Sequence, residues 1–154
     1  MPDYSNYNSR TYGDYAKVWQ STGKCVFCDL KDKYIIMEKD GVVLTVNIFP
    51  YINGHLLIIP RRHFEDFDEA TQKEWSAVKK LSEIGKYLLQ NSLKVQSVWF
   101  LHRMGKGFKA QKTVAHAHAH LIPFDEKLFK WEFQEITTAP IYLASKLREG
   151  LDKK

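Results

Sequence analysis

The sequence predicts an α+β fold: a mostly antiparallel five-stranded sheet with a long central helix and a C-terminal helix against it. Three observations predict it. Two runs rich in apolar and β-branched residues flank the turn chemistry Lys39-Asp40-Gly41. From Asp68 to about Asn91 apolar residues recur at every third or fourth position. The elements then occur in the order hairpin, strand, helix, two strands, helix, which packs naturally as one sheet with helices against it. A doubly wound sheet would need repeated strand-helix alternation, and the helix length and strand count argue against it.

The composition agrees with one compact domain. The 154 residues are 44% hydrophobic, 14% aromatic and 27% charged, which excludes a disordered tail or a collagen-like chain. Nine Phe, eight Tyr and four Trp supply a core without a disulfide framework. No stretch approaches the ~20 apolar residues of a membrane span, and the opening MPDYSNYNSRTYGDY lacks the apolar core of a signal peptide. A cytoplasmic protein with no membrane partner is expected. Net charge is +5, which steers an anionic ligand such as a nucleotide favourably. Basic residues are scattered apart from Lys106, Lys109 and Lys112 in one loop and Lys153 and Lys154 at the end, so no polynucleotide partner is expected.

In chain order, residues 1–24 read as a Tyr-rich, irregular arm with a short helix around Tyr15 to Trp19. Tyr34 to Glu38 and Val42 to Val46 form the hairpin. A loop from Asn47 to Gly54 leads into the apolar run His55 to Ile59, a buried third strand that Pro60 ends by removing a ladder donor. The main helix follows, with Asp66 or Asp68 available as N-cap and Trp75, Val78, Leu81, Ile84 and Leu88 on its apolar face. Ser97 to His102 reads as a fourth strand, and Val114 to Ile122 as a fifth after a loop through Gln111. Thr137 or Thr138 can cap a last helix with Pro140 in its first turn and Ile141, Ala144, Leu147 and Leu151 on one face.

Two constellations carry chemistry. Cys25 and Cys28 form a C-x-x-C, which in a reducing compartment reads as a metal site or a redox pair rather than a structural disulfide. His116, His118 and His120 alternate with alanines, so on a strand all three side chains share one face, about 6.5 to 7 Å apart. Such a row can bind a metal, or it can supply a neutral imidazole that attacks phosphorus while its neighbours hold phosphate oxygens.

His116-Ala-His118-Ala-His120-Leu-Ile resembles the defining motif of the histidine triad family. A second segment, from Asn47-Ile-Phe-Pro50 through Gly54-His55 to Pro60-Arg-Arg-His63, resembles the family's upstream nucleotide-binding stretch. Cys25-Val-Phe-Cys28 resembles the C-x-F-C opening of many bacterial members. The resemblance covers residues 25–123 as a histidine triad domain and leaves 1–24 as an arm and 124–154 as a C-terminal extension. It implies a histidine-triad-like fold and a homodimer whose sheets join across the two-fold.

The resemblance also implies roles. His118 would be the nucleophile that forms a nucleotidyl-histidine intermediate. His120 and His55 would line the phosphate site, and His116 would support the constellation. Asn47 falls where family members bind the ribose hydroxyls. Val26, Phe27, Leu30, Ile48 and Leu57 would form the pocket for a purine base. Cys25, Cys28, His63 and His116 would hold a structural zinc ion. Thr113 matches the family pattern, but Lys112 stands where a Gln is usual and Gly105 where an Asn is common. A cation at 112 would favour an anionic leaving group or phosphate.

The function expected is a nucleotide hydrolase or transferase that splits a phosphoanhydride or phosphoramidate bond of an adenosine nucleotide, such as a dinucleoside polyphosphate. Two alternatives stand beside it. One is a nucleotide-binding sensor with little turnover. The other is a zinc-dependent hydrolase with the triad as metal ligands.

Overall fold

A computed structural model describes residues 3–14, 17 and 20–151. Strands β1 (Ile35–Lys39), β2 (Val42–Val46), β3 (Leu56–Pro60), β4 (Ser97–His102) and β5 (Ala119–Phe124) form one sheet in the order β1-β2-β3-β5-β4. Every pair is antiparallel. The helices with described bounds are α1 (Ser5–Thr11), α2 (Gln72–Ser92) and α3 (Pro140–Leu151). Among the described residues no helix is long and apolar enough to cross a membrane.

The hairpin turn lies on Asp40 and Gly41, both with positive φ (50° and 76°). That is the backbone a two-residue turn needs to follow the right-handed twist of its strands, and Asp-Gly supplies it at low steric cost. Side-chain alternation divides the sheet into two faces. Leu44, Ile58 and Ala119 lie opposite one another in register, as do Val46, Leu56 and Leu121. The face bearing Leu44, Leu56, Ile58 and Leu121 packs with Ala77, Val78, Leu81 and Leu89 of α2 into the core. The helix comes close because Gly85 has no side chain. A Cβ there would stand 2.4 Å from Leu121 Cδ1.

Four details differ from the sequence reading. The N-cap of α2 is Thr71, whose hydroxyl accepts from Glu74 N–H while Glu74 accepts from Thr71 N–H, a capping box. Asp66 instead caps a separate turn of 3-10 helix over Phe67–Glu69. The fifth strand starts at Ala119 rather than Val114, and residues 113–116 form a bend outside the ladder. Its ladder is replaced there by other bonds, because His116 Nε2 donates to the Pro60 carbonyl at 2.7 Å and Ala117 N–H to the Phe64 carbonyl at 2.6 Å. In the arm, a helix forms at Ser5–Thr11, where Asp3 accepts from Ser5 N–H at 2.9 Å at its first turn. The helix expected around Tyr15 to Trp19 rests on Tyr15, Ala16, Val18 and Trp19, which lie outside the described residues.

The last helix starts at Pro140 as the sequence predicts, but it buries nothing. Ile141, Leu147 and Leu151 are exposed, so its apolar face lies outside the core formed by the sheet and α2. Ahead of it, Phe129 and Trp131 fold back on Trp99 of β4, with Phe124 stacked on the same indole at 4.6 Å.

Candidate functional site

The face of the sheet away from α2 carries the site. Thr45, Leu57 and His120 stand in one row across β2, β3 and β5. They form the floor of a cavity of about 300 Å³, at the small end of ligand sites. Val26, Phe27, Leu30, Ile48 and Leu57, the expected base pocket, all line it, as do Asn47, Thr113, His118 and His120. Apolar side chains lining one cavity together with imidazole, amide, hydroxyl and guanidinium groups suit a flat aromatic ring joined to a polar or charged group.

The three triad histidines have three different environments. His118 Nδ1–H donates to the His116 carbonyl at 2.7 Å, which fixes the tautomer and leaves the Nε2 lone pair unprotonated. The ring packs edge-on against Phe27 at 4.9 Å and against His120 at 5.0 Å. Burial first, and then the nearby cations and imidazole, pull its pKa down to about 4, so it is neutral at pH 7. His120 bonds through Nδ1 to His55 Nε2 at 2.8 Å. Its own Nε2 lies 2.8 Å from Arg103 Nη1. Desolvation lowers His120 to about 2 and His55 to about 3, so both are neutral as well. His55 lies buried behind His120 and is not itself a wall of the cavity. Asn47 is tied to it, with Nδ2 at 3.2 Å from His55 Nδ1.

His116 faces a different centre. Its Nε2–H is committed to Pro60, and its Nδ1 lies 3.4 Å from Cys25 Sγ, 3.5 Å from Cys28 Sγ and 3.2 Å from His63 Nδ1. Cys28 Sγ lies 3.3 Å from His63 Nδ1. The local sequence explains the pairing of the thiols, since Cys28 N–H donates back to the Cys25 carbonyl at 3.2 Å in a tight turn. All four donor atoms lie within 4.8 Å of one another and could hold a metal ion. Metal-ligand lengths of about 2.0 to 2.3 Å imply tetrahedral edges of roughly 3.3 to 3.8 Å, and four of the six donor spacings, at 3.2 to 3.5 Å, lie at or close to that range. His118 and His120 are outside this cluster, so the triad does not converge on one metal.

Lys112 departs from expectation. Its ammonium donates to the Glu65 carbonyl at 3.0 Å and lies 3.4 Å from Asp66 Oδ2, and it is not among the residues lining the cavity. The charge expected near a leaving group is buried against a half-buried carboxylate instead.

Other cations take that place. Arg103 lines the cavity beside His120 and also donates from Nη2 to the Tyr51 hydroxyl at 3.3 Å. Arg10, at the end of α1, donates from Nε to the Phe49 carbonyl at 2.6 Å and lies 4.5 Å over the Tyr51 ring. Asn6, Thr22 and Lys24 reach the cavity from the same arm. No local motif announces these residues. For Arg103 the pairing itself is the signal: Leu101 stands opposite His120, so the residue two places further on shares the face of the triad.

Comparison with known proteins gives the same picture. The HIT domain profile matches residues 30–127. An uncharacterised HIT-like protein of Mycoplasma genitalium is 32% identical over 107 residues, covering 67% of this chain and 74% of its own length. An adenosine 5'-monophosphoramidase of Danio rerio is 29% identical over 121 residues, covering 74% of this chain and 73% of its own. The crystal structure of a HIT family protein from Bacillus anthracis superposes with a TM-score of 0.70 at 22% identity, over 85% of this chain and 97% of that one. The profile covers well over half of the residues, and the sheet, helix and histidine row lie within it; the chain belongs to the HIT domain family.

Proposed function

We propose that the protein is a nucleotide hydrolase or transferase that cleaves a phosphoanhydride or phosphoramidate bond of an adenosine nucleotide in two steps through His118. One observation carries the reading. A neutral imidazole is locked by its Nδ1–H on a backbone carbonyl, next to an apolar cavity, with its Nε2 lone pair available. In the first step Nε2 attacks the α-phosphorus, the bond to the leaving group breaks, and the leaving atom keeps the electron pair. The imidazolium so formed keeps its Nδ1–H on the His116 carbonyl, which stabilises the developing charge. In the second step water attacks phosphorus, the phosphorus-nitrogen bond breaks, and nucleoside monophosphate leaves while the water proton passes to solvent or to the product phosphate. Inorganic phosphate in place of water would complete a transfer cycle.

The wall formed by Val26, Phe27, Leu30, Ile48 and Leu57 supports a purine base, and Asn47 supports contact with the ribose hydroxyls. Cys25, Cys28, His63 and His116 are assigned to a structural zinc ion, whose chemistry is to tie three loops together. Burial and the neighbouring Cys25 push the Cys28 thiol up. A homodimer across β4 is supported by the position of that strand at the sheet edge with Phe100 exposed on it.

The test is the mass of intact protein after brief incubation with diadenosine tetraphosphate or adenosine phosphoramidate, for wild type and for His118→Gly, with released nucleotides assayed alongside. An adenylyl adduct or AMP release that depends on His118 is expected. Full turnover by His118→Gly would overturn the assignment. Tight nucleotide binding with neither adduct nor product would replace it with the sensor reading.

A further inference from the structure

Two hydrogen-bond donors meet at one point of the cavity wall, with no acceptor between them among the described residues. His55 Nδ1 accepts from the Tyr51 backbone N–H at 3.2 Å and from the Asn47 amide at 3.2 Å. The Asn47 orientation is fixed, because its Oδ1 already accepts from Phe49 N–H at 2.9 Å. A neutral imidazole has a single hydrogen. His55 therefore carries it on Nε2 and donates it to His120 Nδ1 at 2.8 Å. His120 must then carry its own hydrogen on Nε2, facing Arg103 Nη1 at 2.8 Å. Arg has five donors and no acceptor, so this contact is donor against donor.

An anionic oxygen settles it by accepting from both groups, and charge-assisted bonds of this kind are the strong ones. The place suits such an oxygen in two further respects. Arg103 is oriented by the Tyr51 hydroxyl, and Arg10 lies on the ring of the same tyrosine, so two guanidiniums border one end of the cavity. Arg10 also comes from the arm, outside residues 30–127, so this end of the cavity is completed by a segment the HIT profile does not cover.

We propose that Arg103 and His120 Nε2–H, with Arg10 beside them, seat the phosphate of an anionic leaving group, which makes nucleoside polyphosphates the substrate class of this site in preference to phosphoramidates. The inference rests on the nucleotidyl-transfer reading above. When His118 Nε2 bonds to the α-phosphorus, the bond from phosphorus to the bridging oxygen breaks and that oxygen keeps the electron pair. The departing phosphate gains one negative charge, which two donors and a second guanidinium can hold. In a phosphoramidate the leaving nitrogen takes a proton and departs as a neutral amine, so the same cations contribute less.

The experiment measures kcat/KM for diadenosine tetraphosphate and for adenosine phosphoramidate with wild type, Arg103→Gln, Arg103→Lys and Arg10→Gln. Loss of one charge-assisted contact is expected to lower the polyphosphate-to-phosphoramidate ratio about 10- to 100-fold in Arg103→Gln. Arg103→Lys should restore part of the ratio, because it keeps the charge and loses the fork. A ratio that stays put in Arg103→Gln and Arg10→Gln would overturn the proposal, whatever happens to the absolute rates. Should wild type show no His118-dependent turnover of either compound, the parent reading fails and binding decides the seat. In the His118→Gly background, Arg103→Gln must then weaken diadenosine tetraphosphate about tenfold more than adenosine phosphoramidate. Equal weakening overturns the seat.

Discussion

The Lys112 ammonium lies 3.4 Å from Asp66 Oδ2, and the same oxygen accepts from Gly105 N–H at 2.9 Å. Positions 105 and 112 are the two at which the chain departs from the triad pattern, and both departures end on one carboxylate. Hydrogen bonds from Gly105 and Asp68, with the cation beside them, hold Asp66 below the usual carboxylate range against the effect of burial. Gly105 has φ of +95°, a backbone that side-chain-bearing residues rarely adopt. The pair pins the loop between β4 and the histidine row. Lys112→Met leaves Asp66 half-satisfied, and a loss of about 1 to 3 kcal/mol is expected in urea unfolding. A double-mutant cycle with Asp66→Asn should show coupling of at least about 0.5 kcal/mol. Additive losses would separate the two residues.

Gly85 sets how close α2 comes to the sheet. In an exposed helix, Gly to Ala is stabilising by about 1 kcal/mol. Here the new Cβ would stand 2.4 Å from Leu121 Cδ1 and 3.4 Å from Leu44 Cδ1. Overpacking of this kind costs about 1 to 3 kcal/mol. Gly85→Ala is therefore expected to lower the melting temperature, and an increase would mean that Leu121 changes rotamer without penalty.

How much was legible in the sequence depends on range. The hairpin, β4 and the start of α3 were legible because Asp40-Gly41, the run from Ser97 and Pro140 act locally. The N-cap of α2 is also written locally, as Thr71-x-x-Glu74, but Asp66 and Asp68 upstream offer the same capping chemistry. The alternation of alanine and histidine runs unbroken from Ala115 to His120, so nothing local shows that the strand begins only at Ala119. That limit is set by Pro60 and Phe64, whose carbonyls take His116 and Ala117 from the ladder. The apolar face of α3 was legible while its exposure was not, since periodicity does not reveal whether a partner surface lies opposite. The apolar cavity wall and the four metal donors were reached through the family resemblance. Arg10 and Arg103 were not, because their role comes from contacts with Tyr51 and His120 that only the folded chain creates.

Glu74 links acid stability to the start of α2. Its carboxylate receives two guanidinium N–H bonds from Arg62, at 3.1 and 2.9 Å, and the Thr71 N–H at 2.8 Å. The Arg62 bonds, followed by those from Thr71, hold it down to about 2 against the opposing effect of burial. A folded pKa below the unfolded value means that the contribution is complete above about pH 4.5 and disappears as pH falls toward 2. Wild type is therefore expected to lose stability over that window more steeply than Glu74→Gln. Loss of the charged contact should cost the variant about 1 to 3 kcal/mol at pH 7. Parallel stability curves for the two proteins from pH 5 to pH 2 would remove Glu74 from the account of acid unfolding.

Metal removal separates structure from chemistry. Cys25 and Cys28 precede β1, His63 follows β3 and His116 precedes β5, so an ion on these four donors joins segments that the sheet alone does not fasten. Binding to the folded form stabilises it by about 2.7 kcal/mol at a hundredfold excess over Kd. For a domain of this size that corresponds to roughly 5 to 10 °C in Tm. A chelator is expected to lower Tm by about that amount, added zinc to restore it, and Cys28→Ser to lower it without response to zinc. Turnover measured well below the lowered Tm should fall less than tenfold, because His118 takes its tautomer from the His116 carbonyl and not from the ion. The loss that remains reports the freedom His116 gains when its Nδ1 is released. Activity abolished by chelator with Tm unchanged would reverse the assignment, giving the four donors a catalytic metal in place of the structural one proposed.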